Sequence, residues 1–327
     1  MFVLFTVLSI VQCQADIEVY LNLVVHRFFR SYCSQEGIIT RWGYPVERYD
    51  VVTSDGYILD LYRIPHGRYD NETGVLRPAI LMIPGLASAA FVFADGGFDV
   101  YLGNNRGSTY AKRHLSMSTS HPDFWKFSLD HLAGLDLPAI VDKVLEVSQQ
   151  KSLFYVGHSQ IKQFFGWGAV HTGKSLKGAA GNIPHTYKQY RSALDSRLGV
   201  YVAHFPAGAS TMTAIHWMQT FVQGRVGKFD YDNPFENWQH YGMMHAPTYN
   251  YSQITAPTHL FWSNNDWFAD GEEMTKLCSE FRPGVLEGFH EVPSYNHPDF
   301  ALAIDGPEMI YRPMIRLMRD YEKRHRG

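Results

Sequence analysis

A serine, an aspartate and a histidine, far apart along the chain, suggest the chemistry of this sequence. Ser159 sits in Gly157-His158-Ser159-Gln160, directly after the apolar run Leu153-Phe154-Tyr155-Val156. Asp266 closes HLFWSNND, and His297 lies in SYNHPDF, just past VLEGFHEVP. A free serine hydroxyl is a weak nucleophile and needs an imidazole to take its proton. The imidazole in turn needs a carboxylate that fixes its tautomer and stabilises its cation. Each of the three follows a strand-like run, and a helix and a strand fit between the acid and the base. That order and placement point to acyl transfer through a serine ester.

Taken singly, the signals are weak. His297 is one of 16 histidines, and Ser159 alone fits an ordinary loop equally well. Asp270 is a rival acid; Asp266 is preferred because it directly follows its strand, whereas Asp270 suits the start of a helix over ADGEEMTKL. Acyl transfer also needs two backbone N–H groups aimed at the developing oxyanion. Gln160, next after the serine, is expected to supply one. Leu86 in PGLAS, beyond the run AILMI, is expected to supply the other. Nothing in this scheme calls for a metal or a cofactor.

The elements that must position these residues can be read from the pattern. VERYDVVTSDGYILDLYRIP (46–65) alternates polar and apolar residues about Ser54-Asp55-Gly56, which predicts a β-hairpin. RPAILMIPG (77–85), GFDVYLGNNRG (97–107), SLFYVGHS, THLFWSNND (258–266) and VLEGFHEVP (285–293) read as strands, the first a continuous apolar run of the kind buried on both faces. Residues 123–150 carry helical spacing through Leu132, Leu135, Ile140, Val144 and Val147. Buried strands alternating with helices predict a mostly parallel sheet covered on both faces. Residues 161–250 are less regular and are expected to form a cap. The basic tail RLMRDYEKRHRG is read as a solvated helix end.

Composition narrows the class. The chain has 327 residues, 45% of them hydrophobic and 19% charged, which is ordinary for a globular protein. A net charge of −3 gives no reason to expect a nucleic-acid partner. Residues 1–15, MFVLFTVLSIVQCQA, are an apolar run ending in small residues, as a cleaved signal peptide does. The run is too short for a transmembrane span, and no later one follows. Asn71 and Asn250 head glycosylation triplets, and Cys33 and Cys278 remain once Cys13 leaves with the signal.

Longer segments carry a family likeness. GYPVERYDVVTSDGYILDLYRIPHG, YLGNNRGSTYAKRH, FWKFSLDHLAGLDLPAIVDKVLE, YVGHSQ, AHFPAGAS, KFDYDNPFENWQHYG, NNDWFAD and YNHPDF occur in that order over nearly the whole chain after the signal. In these the chain resembles the acid lipases, the gastric and lysosomal enzymes and their insect relatives. The resemblance implies an α/β-hydrolase fold over 16–327 with a reduced cap around 161–250. It implies secretion or lysosomal delivery and hydrolysis of neutral lipid esters, at a lipid–water interface and without a cofactor. It also implies Ser159, Asp266 and His297 as the triad, with Leu86 and Gln160 at the oxyanion hole.

The departures from the family pattern cluster near the serine. Pro84 stands where the family has histidine, and Ile161 stands where its nucleophile turn has a second glycine. After GHSQ the family continues into a helix packed under the serine and then another strand; here IKQFFGWGAVHTG follows at once. A β-branched side chain at such a turn overpacks it, at a typical cost of about 1–3 kcal/mol. These features define a second reading, a catalytically impaired lipase-like protein that binds lipid or a partner.

Overall fold

Gly56 turns the first hairpin at φ +91°, and a side chain there would meet the His114 ring at 3.0 Å. It joins β1 (Glu47–Val52) to β2 (Tyr57–Ile64) in antiparallel register, Val52 facing Ile58. The computed structural model describes residues 34–70, 72, 74–83, 87–158, 165–167 (as backbone), 210–267, 269 and 271–325. The proposed signal, Cys33, Asn71, Leu86, Ser159, Gln160, Ile161 and Asp270 therefore lie outside the described residues.

After a first helix, α1 (Gln35–Arg41), and the hairpin come β3 (Ala79–Ile83), α2 (Ala87–Asp95) and β4 (Asp99–Gly103). A short β5 (Arg113–His114) pairs with β2, and α3 (Leu137–Ser148) leads into β6 (Phe154–His158). β7 (Phe165–Trp167), α4 (Thr211–Gln223) and α5 (Pro234–Tyr241) follow. The chain ends with β8 (Thr258–Trp262), α6 (Gly271–Glu280), β9 (Leu286–Glu291) and α7 (Arg312–His325). The sheet order among the described residues is β1-β2-β4-β3-β6-β7-β8-β9, and every neighbouring pair from β4 to β9 is parallel.

Alternation along the strands gives the sheet two apolar faces. Ile80 and Met82 of β3, Val100 of β4, Val156 of β6 and Phe261 of β8 pack with Phe93 of α2 and Met314 and Met318 of α7. Leu81 and Ile83, Tyr101 and Tyr155 turn the other way, against Ile140 and Val144 of α3. Leu260 of β8 packs with Met274 and Leu277 of α6. Phe93, Phe98, Phe261 and Phe300 are almost wholly buried, and each such ring contributes about 1.5–3 kcal/mol of transfer free energy. The expected α/β architecture, a mostly parallel sheet with helices on both faces, is what these contacts build. The tail differs a little from expectation: α7 buries Met314, Ile315 and Met318 before its basic end reaches solvent.

The helix expected over 123–150 is interrupted. A single turn spans Pro122–Trp125, and the chain restarts after Ser128. The Ser128 hydroxyl accepts the Asp130 N–H at 3.2 Å, and its own N–H donates to His131 Nδ1 at 3.1 Å, so a capping box starts a new helix. Wider turns over Leu132–Asp136 then carry Asp136 inward to Arg106. Arg106 is buried, donates from Nε to Asp136 at 2.7 Å and from Nη1 to Asp55 at 2.6 Å, and lies 4.0 Å over the Tyr57 ring. One cation thus ties the hairpin turn, the loop after β4 and the following helix; removing Arg106 would leave Asp136 buried without its charge partner.

Phe165–Trp167, within the stretch expected to be cap, is a strand of the sheet instead. It lies between β6 and β8, with Val156 facing Phe165 and Trp167 facing Phe261. Three residues, the middle one Gly166, carry no alternation that marks a strand, and their neighbours decide the assignment. Residues 159–164 alone join β6 to β7, fewer than the dozen or more that a crossover between parallel strands ordinarily needs.

Of the region expected to form the cap, α4 and α5 are described. Asp130 anchors the segment that follows α4, accepting the Phe229 N–H at 2.8 Å and the Tyr249 hydroxyl. Met218, Val222, Phe235, Trp238 and Met244 are exposed there. Among the described residues no helix is long and apolar enough to cross a membrane.

Candidate active site

The site grows from the C-terminal ends of β8 and β9. Their parallel ladder continues past the strands through the Val292 N–H, which donates to the Trp262 carbonyl at 2.7 Å. Asn264 Nδ2 then reaches Glu291 Oε1 at 3.0 Å. The chain after β8 turns at Ser263, whose carbonyl accepts the Asp266 N–H at 3.2 Å. The loop after β9 passes through Ser294 at φ +67°, a left-handed conformation unusual for serine. Two loops that start side by side thus converge.

They bring Asp266 and His297 together. His297 Nδ1 lies 3.0 Å from Asp266 Oδ2 and 3.2 Å from Oδ1. A carboxylate oxygen can only accept, so the ring proton sits on Nδ1 and the Nε2 lone pair is left for a proton acceptor's role. Asp266 is fully buried, and its Oδ1 also accepts the Ala269 N–H at 3.1 Å. His297 is 8% exposed, so water reaches the ring only at its edge. This is an oriented imidazole on a buried carboxylate, the arrangement that serine acyl transfer requires.

β6 delivers its last residue to the same place. The His158 ring stacks on the His297 ring, with centroids 5.1 Å apart and planes 29° from parallel. His158 Nε2 lies 3.2 Å from the His297 carbonyl, which fixes Nε2 as a donor. Burial, reinforced by the charge His297 can carry, pushes the His158 pKa down to about 3. The ring is therefore neutral in ordinary conditions and acts as a spacer rather than a second base. Ser159 is the residue that follows. The sequence motif offers His158 only as the variable position of G-x-S-x, so its contact with His297 had no signal there.

The strands that precede the two expected oxyanion donors are adjacent and end at one level. Ile83, the last residue of β3, pairs with Gly157 of β6, so the chains toward Leu86 and Gln160 start together. Of the glycosylation triplets, Asn250 is exposed and its Oδ1 accepts the Ser252 N–H at 3.0 Å and the Ser252 hydroxyl at 2.6 Å. Cys278 is half-buried with a free thiol, and burial raises its pKa. Among the described residues no cluster of three or more His, Cys, Asp or Glu could hold a metal ion.

Known proteins resemble this chain. Residues 36–97 match a family model described as a partial alpha/beta-hydrolase lipase region. The chain is 34% identical to Lipase lipl-1 of Caenorhabditis elegans, over 86% of this chain and 90% of that protein. It is 33% identical to gastric triacylglycerol lipase of Bos taurus, over 88% of this chain and 91% of the relative. The alignment to the nematode protein runs over 368 positions, more than the whole 327 residues of this chain, so the relative carries internal segments that are missing here. Among solved structures, a soluble variant of monoglyceride lipase from Saccharomyces cerevisiae, bound to a substrate analogue, has a TM-score of 0.52 at 16% identity, covering 85% of this chain and 98% of that one. That likeness bears on the fold. The chain belongs to the acid lipase family and is a carboxylic-ester hydrolase by descent.

Proposed function

We propose, from this membership and the geometry of the site, that the protein is a secreted or lysosomal lipase that hydrolyses neutral lipid esters through Ser159, His297 and Asp266. The Ser159 hydroxyl attacks the ester carbonyl carbon while His297 Nε2 takes its proton. The N–H groups of Leu86 and Gln160 receive the oxyanion of the tetrahedral intermediate. The intermediate collapses, the alcohol leaves with the proton from His297, and an acyl-serine remains. Water, deprotonated by the same nitrogen, then releases the fatty acid. Asp266 stays ionised throughout and stabilises the imidazolium.

The observation that carries this reading is the Asp266–His297 pair packed against the ring of the residue before Ser159. The names of the gastric relatives, the apolar residues 1–15 and the exposed Asn250 triplet support an exported, glycosylated enzyme. The test is a fluorophosphonate probe on purified protein that unfolds cooperatively. Labelling and ester hydrolysis are expected, and Ser159→Ala is expected to abolish labelling and lower kcat by at least about 1,000-fold.

One observation favours a second reading, an impaired lipase-like binder: β6 and β7 are joined by residues 159–164 alone, with Ile161 among them. Folded protein that the probe fails to label would establish that reading in place of the first.

A further inference from the structure

We propose that Asn296 is the positioning residue that holds the acid and base loops of this site together, an inference that rests on the lipase reading above. Its side-chain oxygen accepts two backbone N–H groups, that of His297 at 2.7 Å and that of Trp267 at 3.3 Å. Trp267 follows Asp266 directly, so one carbonyl oxygen spans the residue after the acid and the base itself. Both partners are donors, which fixes the amide orientation without ambiguity. Asn296 is 6% exposed, so water does not compete for these bonds.

The clamp is itself held. The Asn296 N–H donates to Asp299 Oδ2 at 2.6 Å, and the Asp299 N–H donates back to the Asn296 carbonyl at 2.9 Å. On the preceding side the Tyr295 hydroxyl donates to Asp305 Oδ1 at 2.6 Å. The direct Asp266–His297 bond orients the ring only if both backbones stay in place. Asn296 is the side chain that bonds to both loops at the residues concerned. Loss of its oxygen frees the two loops to slide by a fraction of an ångström, and a displacement of about 1 Å near a reacting group costs on the order of 100-fold in rate.

The test uses the full chain and two independent readings, steady-state hydrolysis of a short-chain ester and the downfield proton NMR signal of the His297 Nδ1–H. Asn296→Ala is expected to lower kcat on the order of 10- to 100-fold with KM little changed, and to shift or broaden the NMR signal. Asn296→Asp keeps an acceptor oxygen and is expected to restore most of kcat and a sharp signal. It also moves the acidic limb of the rate profile to higher pH, because negative charge beside the imidazole favours its protonated, inactive form. A folded Asn296→Ala protein with unchanged kcat and an unchanged signal would overturn the proposal. If the native protein hydrolyses nothing, the lipase reading fails, and the NMR comparison alone decides the clamp by the same criterion. Should Asn296→Ala not fold, Asn296→Ser is read in its place; failure of both to fold would mark a general structural stud and overturn the specific role.

Discussion

Asp266 and His297 stand on loops that leave neighbouring strands, and several hydrogen bonds brace each loop. Ser159 leaves β6 into a link of residues 159–164 that must return to a parallel neighbour. The acid–base arm has an ordinary strand–helix–strand unit behind it, β8, α6 and β9, with chain enough to cover its own strands. The arm that carries the proposed nucleophile has its strand, and six residues link that strand to its parallel neighbour. The difference teaches where such a site tolerates change. Orientation of the proposed base rests on local loop bonds, which persist here, whereas presentation of the proposed nucleophile rests on the short link after β6.

The largest expected effect breaks the braced arm. Asp266→Asn is expected to reduce kcat by about 10,000-fold, because an amide cannot hold the imidazole in the working tautomer. Asp270→Asn is expected to leave the rate unchanged, and parallel kinetics on the two variants would show whether the acid has been assigned correctly. A smaller effect, of opposite sign, repairs the other arm. Ile161→Gly restores the small residue that the turn calls for and is expected to raise the rate of fluorophosphonate labelling about tenfold, equivalent to about 1.4 kcal/mol. Unchanged labelling would place the limitation in the missing helix rather than in side-chain bulk.

The smallest effect concerns pH. Burial pushes the Asp299 carboxyl up to about 6, against the Asn296 N–H that lowers it and with help from the charge of Asp305. A raised carboxyl pKa means that folding favours the protonated acid. That stabilisation is complete below the ordinary value near 4 and is lost as pH rises through about 6. The Tm of the native protein minus that of Asp299→Asn is therefore expected to fall between pH 4 and pH 7. Thermal unfolding at several pH values measures it, and a difference that stays level across that range would contradict the assignment.

Much of this was legible in the amino-acid pattern because it is local. The hairpin follows from one glycine in a left-handed turn, β3 and β4 from continuous apolar runs, and Asp266 and His297 from their places after strands. The misses have non-local causes. Ser128 splits a helix whose apolar spacing runs on unbroken, since a cap competes with periodicity. Phe165–Trp167 is a strand only because β6 and β8 flank it. Asn296 reaches back to Trp267 and His158 packs on His297, both remote in sequence, and neither type nor spacing announces these contacts.

The abrupt return from β6 to β7 has one more consequence. The two strands lie side by side with their pairing already formed, so a longer connection between residues 158 and 165 would leave both ladders in place. Closing a larger loop is thermodynamically mild, about 0.6 kcal/mol for each doubling of its length. The seam is thus a natural graft point: a helix-bearing insert borrowed from a longer relative could enter there without disturbing either loop of the charge pair.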